Sequence, residues 1–226
     1  MQLSGPIILI KNSFRLFFKR ENLVFFIEIY VFLVISQAAS SFLLGKLNVY
    51  TDIQNGTLPP LFPQLTLAVI TGLVFMVINT FFSVSGYEAV RRIVWGQVPD
   101  IKATLLTVWK KIWKVAVVSF LWVIIITLGL ILLIVPGIIF SIWFKFAIFE
   151  TLGSDIGIKE AFLNSKNLVA GRFWPVLGRT IAFGLFAGAT QMVLSFIPLG
   201  YGIMITTLIG ALFVLPSCLL YKELKG

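Results

Sequence analysis

Of 226 residues, 59% are hydrophobic and only 12% charged. Soluble domains are roughly 45–50% apolar, so this composition excludes an ordinary soluble fold and predicts an integral membrane protein. Histidine is absent and Cys218 is the single cysteine, which removes a disulfide framework, the commonest metal ligand and the usual general base.

The net charge of +9 would raise nucleic acid as a partner in a soluble chain, but here the cations flank apolar runs. Residues 6–20 (PIILIKNSFRLFFKR) place Ile7, Ile10, Phe14 and Phe17 on one helical face and Lys11, Arg15 and Lys19 on another. The segment is too short and charged to span, and is expected to lie in the interface with its cations toward anionic headgroups. The first span is Leu23 to Leu44, interrupted by Glu28. No cleavable secretory pattern precedes it, so it is expected to be retained. Residues 45–63 read as a loop containing a weak glycosylation pattern, Asn55-Gly56-Thr57. The second span runs from Leu65 to Val90, with Asn79 inside and Glu88 near its end, and Arg91 and Arg92 mark the membrane edge.

Residues 100–114 (DIKATLLTVWKKIWK) repeat the amphipathic theme, with Pro99-Asp100 as the helix start. The apolar run from Val115 to Leu152 follows. As one helix its 38 residues would reach roughly 57 Å, against a bilayer core of about 30 Å. It is expected to fold into two spans that reverse at Pro136-Gly137, since proline lacks an N–H and glycine tolerates positive φ. Residues 154–170 are a third amphipathic segment, with Ile158, Ala161, Phe162, Ser165, Leu168 and Val169 on one face. Span five runs from Phe173 to Ile197, span six from Tyr201 to Tyr221, and a basic tail closes the chain.

Each pair of spans thus follows an amphipathic segment, which suggests three copies of one unit (6–92, 99–152, 154–222) within a single membrane domain. The competing reading is that apolar, low-complexity sequence aligns easily with itself. With the N-terminus cytoplasmic, six spans return the C-terminus to the same side, and Lys46 is the one cation among 18 placed opposite. That asymmetry sets the expected orientation in the cell membrane.

No phosphate-cradling loop, no metal-ligand cluster and no nucleophile beside a base is present, so neither catalysis nor a cofactor is expected. Intramembrane charges are costly and often functional. Glu28 lies ~9 Å in from the cytoplasmic edge, Lys145 ~10 Å and Arg179 ~9 Å, with Glu88 and Glu150 just below. Two readings follow from that shared depth. In one, the cations snorkel and Glu28 pairs with one of them to fix helix packing. In the other, a surplus cation in a polar pocket holds an anionic group such as a lipid phosphate. Gly184 and Gly188 form G-x-x-x-G, read as close packing within the monomer or as a dimer contact. Gln37, Asn79 and Gln191 are expected to hydrogen-bond between helices.

From Ile101 to Leu199, LLIVPGIIF, SIWFKFAIFE and the pattern Glu160, Ala161, Ser165, Leu168, Gly171, Phe173, Trp174 together resemble the glycerophosphoryl diester phosphodiesterase membrane-domain family and related bacterial six-span families. The resemblance covers under half the chain. It implies fold and membrane location, not hydrolysis: the soluble phosphodiesterase domain that sometimes follows the membrane region in that family is not expected here.

The expectation is therefore an all-α bundle of six spans and three cytoplasmic interfacial helices, non-enzymatic and without nucleic acid. It would bind or organise anionic phospholipid, or support a membrane partner protein or a second copy of itself. A small transporter or channel is the alternative.

Overall fold

The computed structural model describes residues 3–46, 62–197 and 201–226. The loop with Asn55-Gly56-Thr57 and the turn at Pro198 lie outside them. The described residues form ten helices and no strand: α1 (Pro6–Phe17), α2 (Arg20–Lys46), α3 (Phe62–Val94), α4 (Ile101–Leu132), α5 (Ile134–Trp143), α6 (Ala147–Gly153), α7 (Ile158–Val169), α8 (Phe173–Ser195), α9 (Tyr201–Leu208) and α10 (Gly210–Lys225). Six segments are long and apolar enough to cross a membrane, as the sequence predicts. The fold is an all-α membrane bundle.

α2 packs along α3, α4 along α5, and α9 against α2 and α8, while α1 lies on α10. Ser4 N–H donates to Glu223 Oε2 (3.1 Å), so the two terminal segments meet at one end of the bundle, as an even number of spans requires. The tightest packing is at that end. There Tyr221 stacks on Phe146 and Phe149 (centroids 5.8 and 5.5 Å) and leans on Trp95 (5.4 Å). Such pairs are worth about 0.5–1.5 kcal/mol each beyond their buried area. Cys218 is a free, buried thiol in the same core. At the other end Leu73, Val77, Ile131 and Met192 are exposed, the surface a bilayer rather than water would cover.

Several local expectations are corrected. The amphipathic segment after Asp100 is not a separate interfacial helix; it runs without a break into the third span as α4, capped by Asp100 accepting from Ala103 N–H. No helix breaker separates the two parts, so propagation costs less than a second nucleation. The reversal is not at Pro136-Gly137 but one turn earlier, at Leu133, which is extended (φ −165°, ψ 143°) between α4 and α5. Pro136 sits in the first turn of α5, where a missing N–H costs nothing. Gly137 serves close approach: a Cβ there would meet Leu130 at 2.6 Å, and one on Gly129 would meet Gly137 Cα at 2.9 Å. The two arms of the hairpin therefore touch backbone to backbone.

Spans four and six are also broken. Span four interrupts at Phe144–Phe146 and span six at Ile209. α1 buries Leu9, Ser13 and Phe17, leaving Ile7 exposed, so its packed face is rotated from the predicted one. Lys11 and Arg15 stay exposed, and the face that carries Leu9, Ser13 and Phe17 packs on α10. Gly184 and Gly188 are exposed and a Cβ on either would meet nothing within 4 Å, so they do not mediate packing inside the monomer. Gln37 accepts from Thr207 across helices (3.2 Å), whereas Asn79 donates within its own helix to Phe75 O and Gln191 is exposed.

Candidate functional site: a cavity around Lys145

The break in span four needs a partner for the backbone groups it frees. α7 supplies one. Ser165, fully buried, accepts from Phe146 N–H (3.1 Å) and donates to Trp143 O (2.7 Å), bridging the gap between α5 and α6. Non-helical backbone at membrane depth is tolerated where protein re-satisfies it in this way. Ser165 is the one hydroxyl on an otherwise apolar face of α7, and that anomaly was its signal in the sequence. α7 is positioned by Glu160, whose carboxylate accepts from Gly157 N–H, and by the left-handed turn at Gly171 (φ 75°) that leads into α8.

The intramembrane charges do not form one layer of mutual contacts. Arg179 donates from Nε to Ser4 O and from Nη2 to Leu3 O (2.7 Å each), and from Nη1 to Pro175 O (2.8 Å). Its guanidinium clamps the N-terminal segment to α8. Glu28 is exposed in a groove beside Glu21, Asp100 and Lys102, and makes no ion pair among the described residues.

Glu88 and Glu150 are buried and partnered by this chain. Arg91 grips Glu88 with two bonds of 2.7 Å, and Arg92 adds one of 3.0 Å while its Nη2 reaches Ala103 O and Thr107 Oγ1. Glu150 accepts from Tyr221 OH (2.7 Å) and Lys225 (3.1 Å). Two further lysines cap helix ends. Lys111 donates to Thr151, Leu152 and Ser154 carbonyls at the end of α6, and Lys222 to Val94 O at the end of α3. Cations placed on carbonyls that lack intrahelical partners are favourable. Much of the basic end is thus spent on the fold itself, which spacing along the chain could not reveal.

Lys145 differs. It stands at the helix break with one hydrogen bond, to Thr180 Oγ1 (3.2 Å), and the Phe183 ring 5.9 Å away. It lines a partly open cavity of about 350 Å³ that no carboxylate among the described residues lines. Ile142, Phe144, Ile148, Phe149, Phe213 and Val214 make its apolar walls; Tyr87, Trp122, Ser141, Thr180 and Ser217 supply the polar groups. Trp122 carries a buried indole N–H with no partner, one of three such side-chain atoms among the described residues.

No protein-family model, curated protein or solved structure matches this chain.

The cavity carries one cation and several neutral hydroxyls, and no carboxylate among the described residues lines it. An ammonium with spare N–H groups and several hydroxyls line a space whose walls are apolar. That chemistry suits a ligand bearing oxygen acceptors, and negative charge in particular. Among the described residues no three His, Cys, Asp or Glu cluster closely enough to hold a metal.

Proposed function

We propose that this membrane protein is a non-enzymatic lipid-handling protein whose Lys145 cavity holds the anionic group of an amphiphile. One observation carries the reading: Lys145 lines an apolar-walled cavity in a membrane span with no carboxylate beside it. A cation so placed is expensive unless a negative group compensates it. The amphipathic α1 and α7 and the basic start of α4 would hold the same end at anionic headgroups. The distribution of lysine and arginine supports a cytoplasmic position for that end. The likeness to the glycerophosphoryl diester phosphodiesterase membrane-domain family rests on the Glu160–Trp174 pattern, in which Ser165 and Gly171 have structural duties here. It is a proposal about fold, not hydrolysis.

A small transporter is the second reading. It is favoured by the broken fourth and sixth spans, because interrupted helices beside a ligand cavity are a transporter device.

Native mass spectrometry from lipid nanodiscs tests the first reading. Wild type should retain an anionic lipid that Lys145→Met loses, whereas Arg179→Met, which releases only the N-terminal segment, should keep it. Equal retention by wild type and Lys145→Met would defeat the lipid reading. A stoichiometric partner protein without any preferred lipid would replace it with a supporting role. Solute flux in proteoliposomes that Lys145→Met abolishes would replace it with transport.

A further inference from the structure

Resting on the lipid-handling reading, we infer that the Lys145 cavity selects a singly charged oxyanion carried on an apolar tail, a carboxylate or phosphodiester, over a doubly charged phosphomonoester. The charge count comes first. Among the described residues Lys145 is the one charged side chain lining the cavity, and Glu88 and Glu150, the sequence neighbours of its lining residues Tyr87 and Phe149, are already held by Arg91, Arg92, Lys225 and Tyr221. A monoanion beside Lys145 makes a neutral pair. A dianion leaves one negative charge uncompensated in a low-dielectric span, the situation in which buried charge is most costly.

The neutral donors define the head further. The hydroxyls of Tyr87, Thr180 and Ser217, which line the cavity, can each serve an oxygen without changing net charge. Size defines the rest. A volume of about 350 Å³ holds on the order of a dozen water-sized groups at ~30 Å³ each. That accommodates an oxyanion and the first part of a chain between Phe144, Phe149 and Phe213, with the remaining tail leaving through the open side. Lysine presents a point charge rather than a planar fork, so carboxylate and phosphodiester oxygens are equally acceptable to it. The bound head could come from a fatty acid or from a phospholipid.

The test uses the full chain in zwitterionic nanodiscs over a pH series that spans the second ionisation of the phosphomonoester, near pH 6 in water and higher at a bilayer surface. Three probes are titrated separately and retention is read by native mass spectrometry: oleate, phosphatidylglycerol and phosphatidic acid. At least one of the two monoanions should be retained about tenfold better than phosphatidic acid, equivalent to roughly 1.4 kcal/mol. Whichever it is identifies the source of the head. Lys145→Met should abolish that preference. Thr180→Val and Ser217→Ala, each removing one neutral donor, should weaken retention severalfold without reversing the order. Phosphatidic acid held best, and lost with Lys145→Met, would overturn the monoanion inference while leaving lipid handling standing. Retention of none of the three by folded wild type would overturn both.

Discussion

Replacing Ser165 by alanine removes the one side chain among the described residues that bridges the break in span four. The hydroxyl accepts from Phe146 N–H and donates to Trp143 O, and both Ser165 and Phe146 are fully buried. Leaving a buried donor unpaired costs about 1–3 kcal/mol. The Trp143 carbonyl adds less, because that bond is only part-buried. The sum is about 2–3 kcal/mol, or roughly 5–10 °C in midpoint for a chain of this size. The assay is thermal unfolding in a fixed detergent, with Asn164→Ala as control: its neighbour is exposed and makes no hydrogen bond among the described residues. Ser165→Ala should also widen the scatter of spin labels across the α5–α6 junction. If Ser165→Ala melts with Asn164→Ala and wild type, the serine is not holding the break and the account of span four is wrong.

Glu88→Gln should be among the most damaging single changes, about 3–5 kcal/mol, since it strands two arginines that now share one buried carboxylate; chemical denaturation in mixed micelles would measure it. Gly137→Leu should destabilise the hairpin, where even a Cβ would meet Leu130 at 2.6 Å, by at least the ~1–3 kcal/mol of an overpacked core. Gly188→Leu should leave the midpoint near wild type, because that face is open; both can be read in one thermal series. Lys114 donates to Asp155 (2.6 Å) and holds its carboxyl below the usual carboxylate range. A depressed carboxyl stabilises above its unfolded pKa and loses that contribution as pH falls through the folded value. The pair is exposed, so Lys114→Met should scarcely change the midpoint at neutral pH, and any difference from wild type should vanish as the solution is acidified below pH about 4.

The place of the charged groups shows where linear reading stops. Equal depth along each helix put Glu28, Lys145 and Arg179 in one layer. Depth is a coordinate along the helix axis, however, and contact also depends on rotation about it and on which helices are neighbours. Arg179 turns to Leu3 and Ser4, Glu28 to a groove beside Asp100, and Lys145 alone to a cavity. Cations that looked free for headgroups, Lys111 and Lys222 among them, cap helix ends forty or more residues away.

What this sequence determined alone is what a bilayer demands of any chain: six apolar segments of spanning length, their order, and amphipathic stretches at the basic end. Those follow from hydrophobic transfer and from the need to satisfy every backbone N–H within a helix, both of which are local. Tertiary structure decided the rest. It moved the hairpin reversal to Leu133, because the contact between Gly129 and Gly137 sets how closely the arms can approach. It broke span four where Ser165 from another helix could mend it, and it left Lys145 beside that break without a counter-charge. These features depend on groups far apart in the chain meeting in three dimensions, and no periodicity along the sequence encodes which of them will meet.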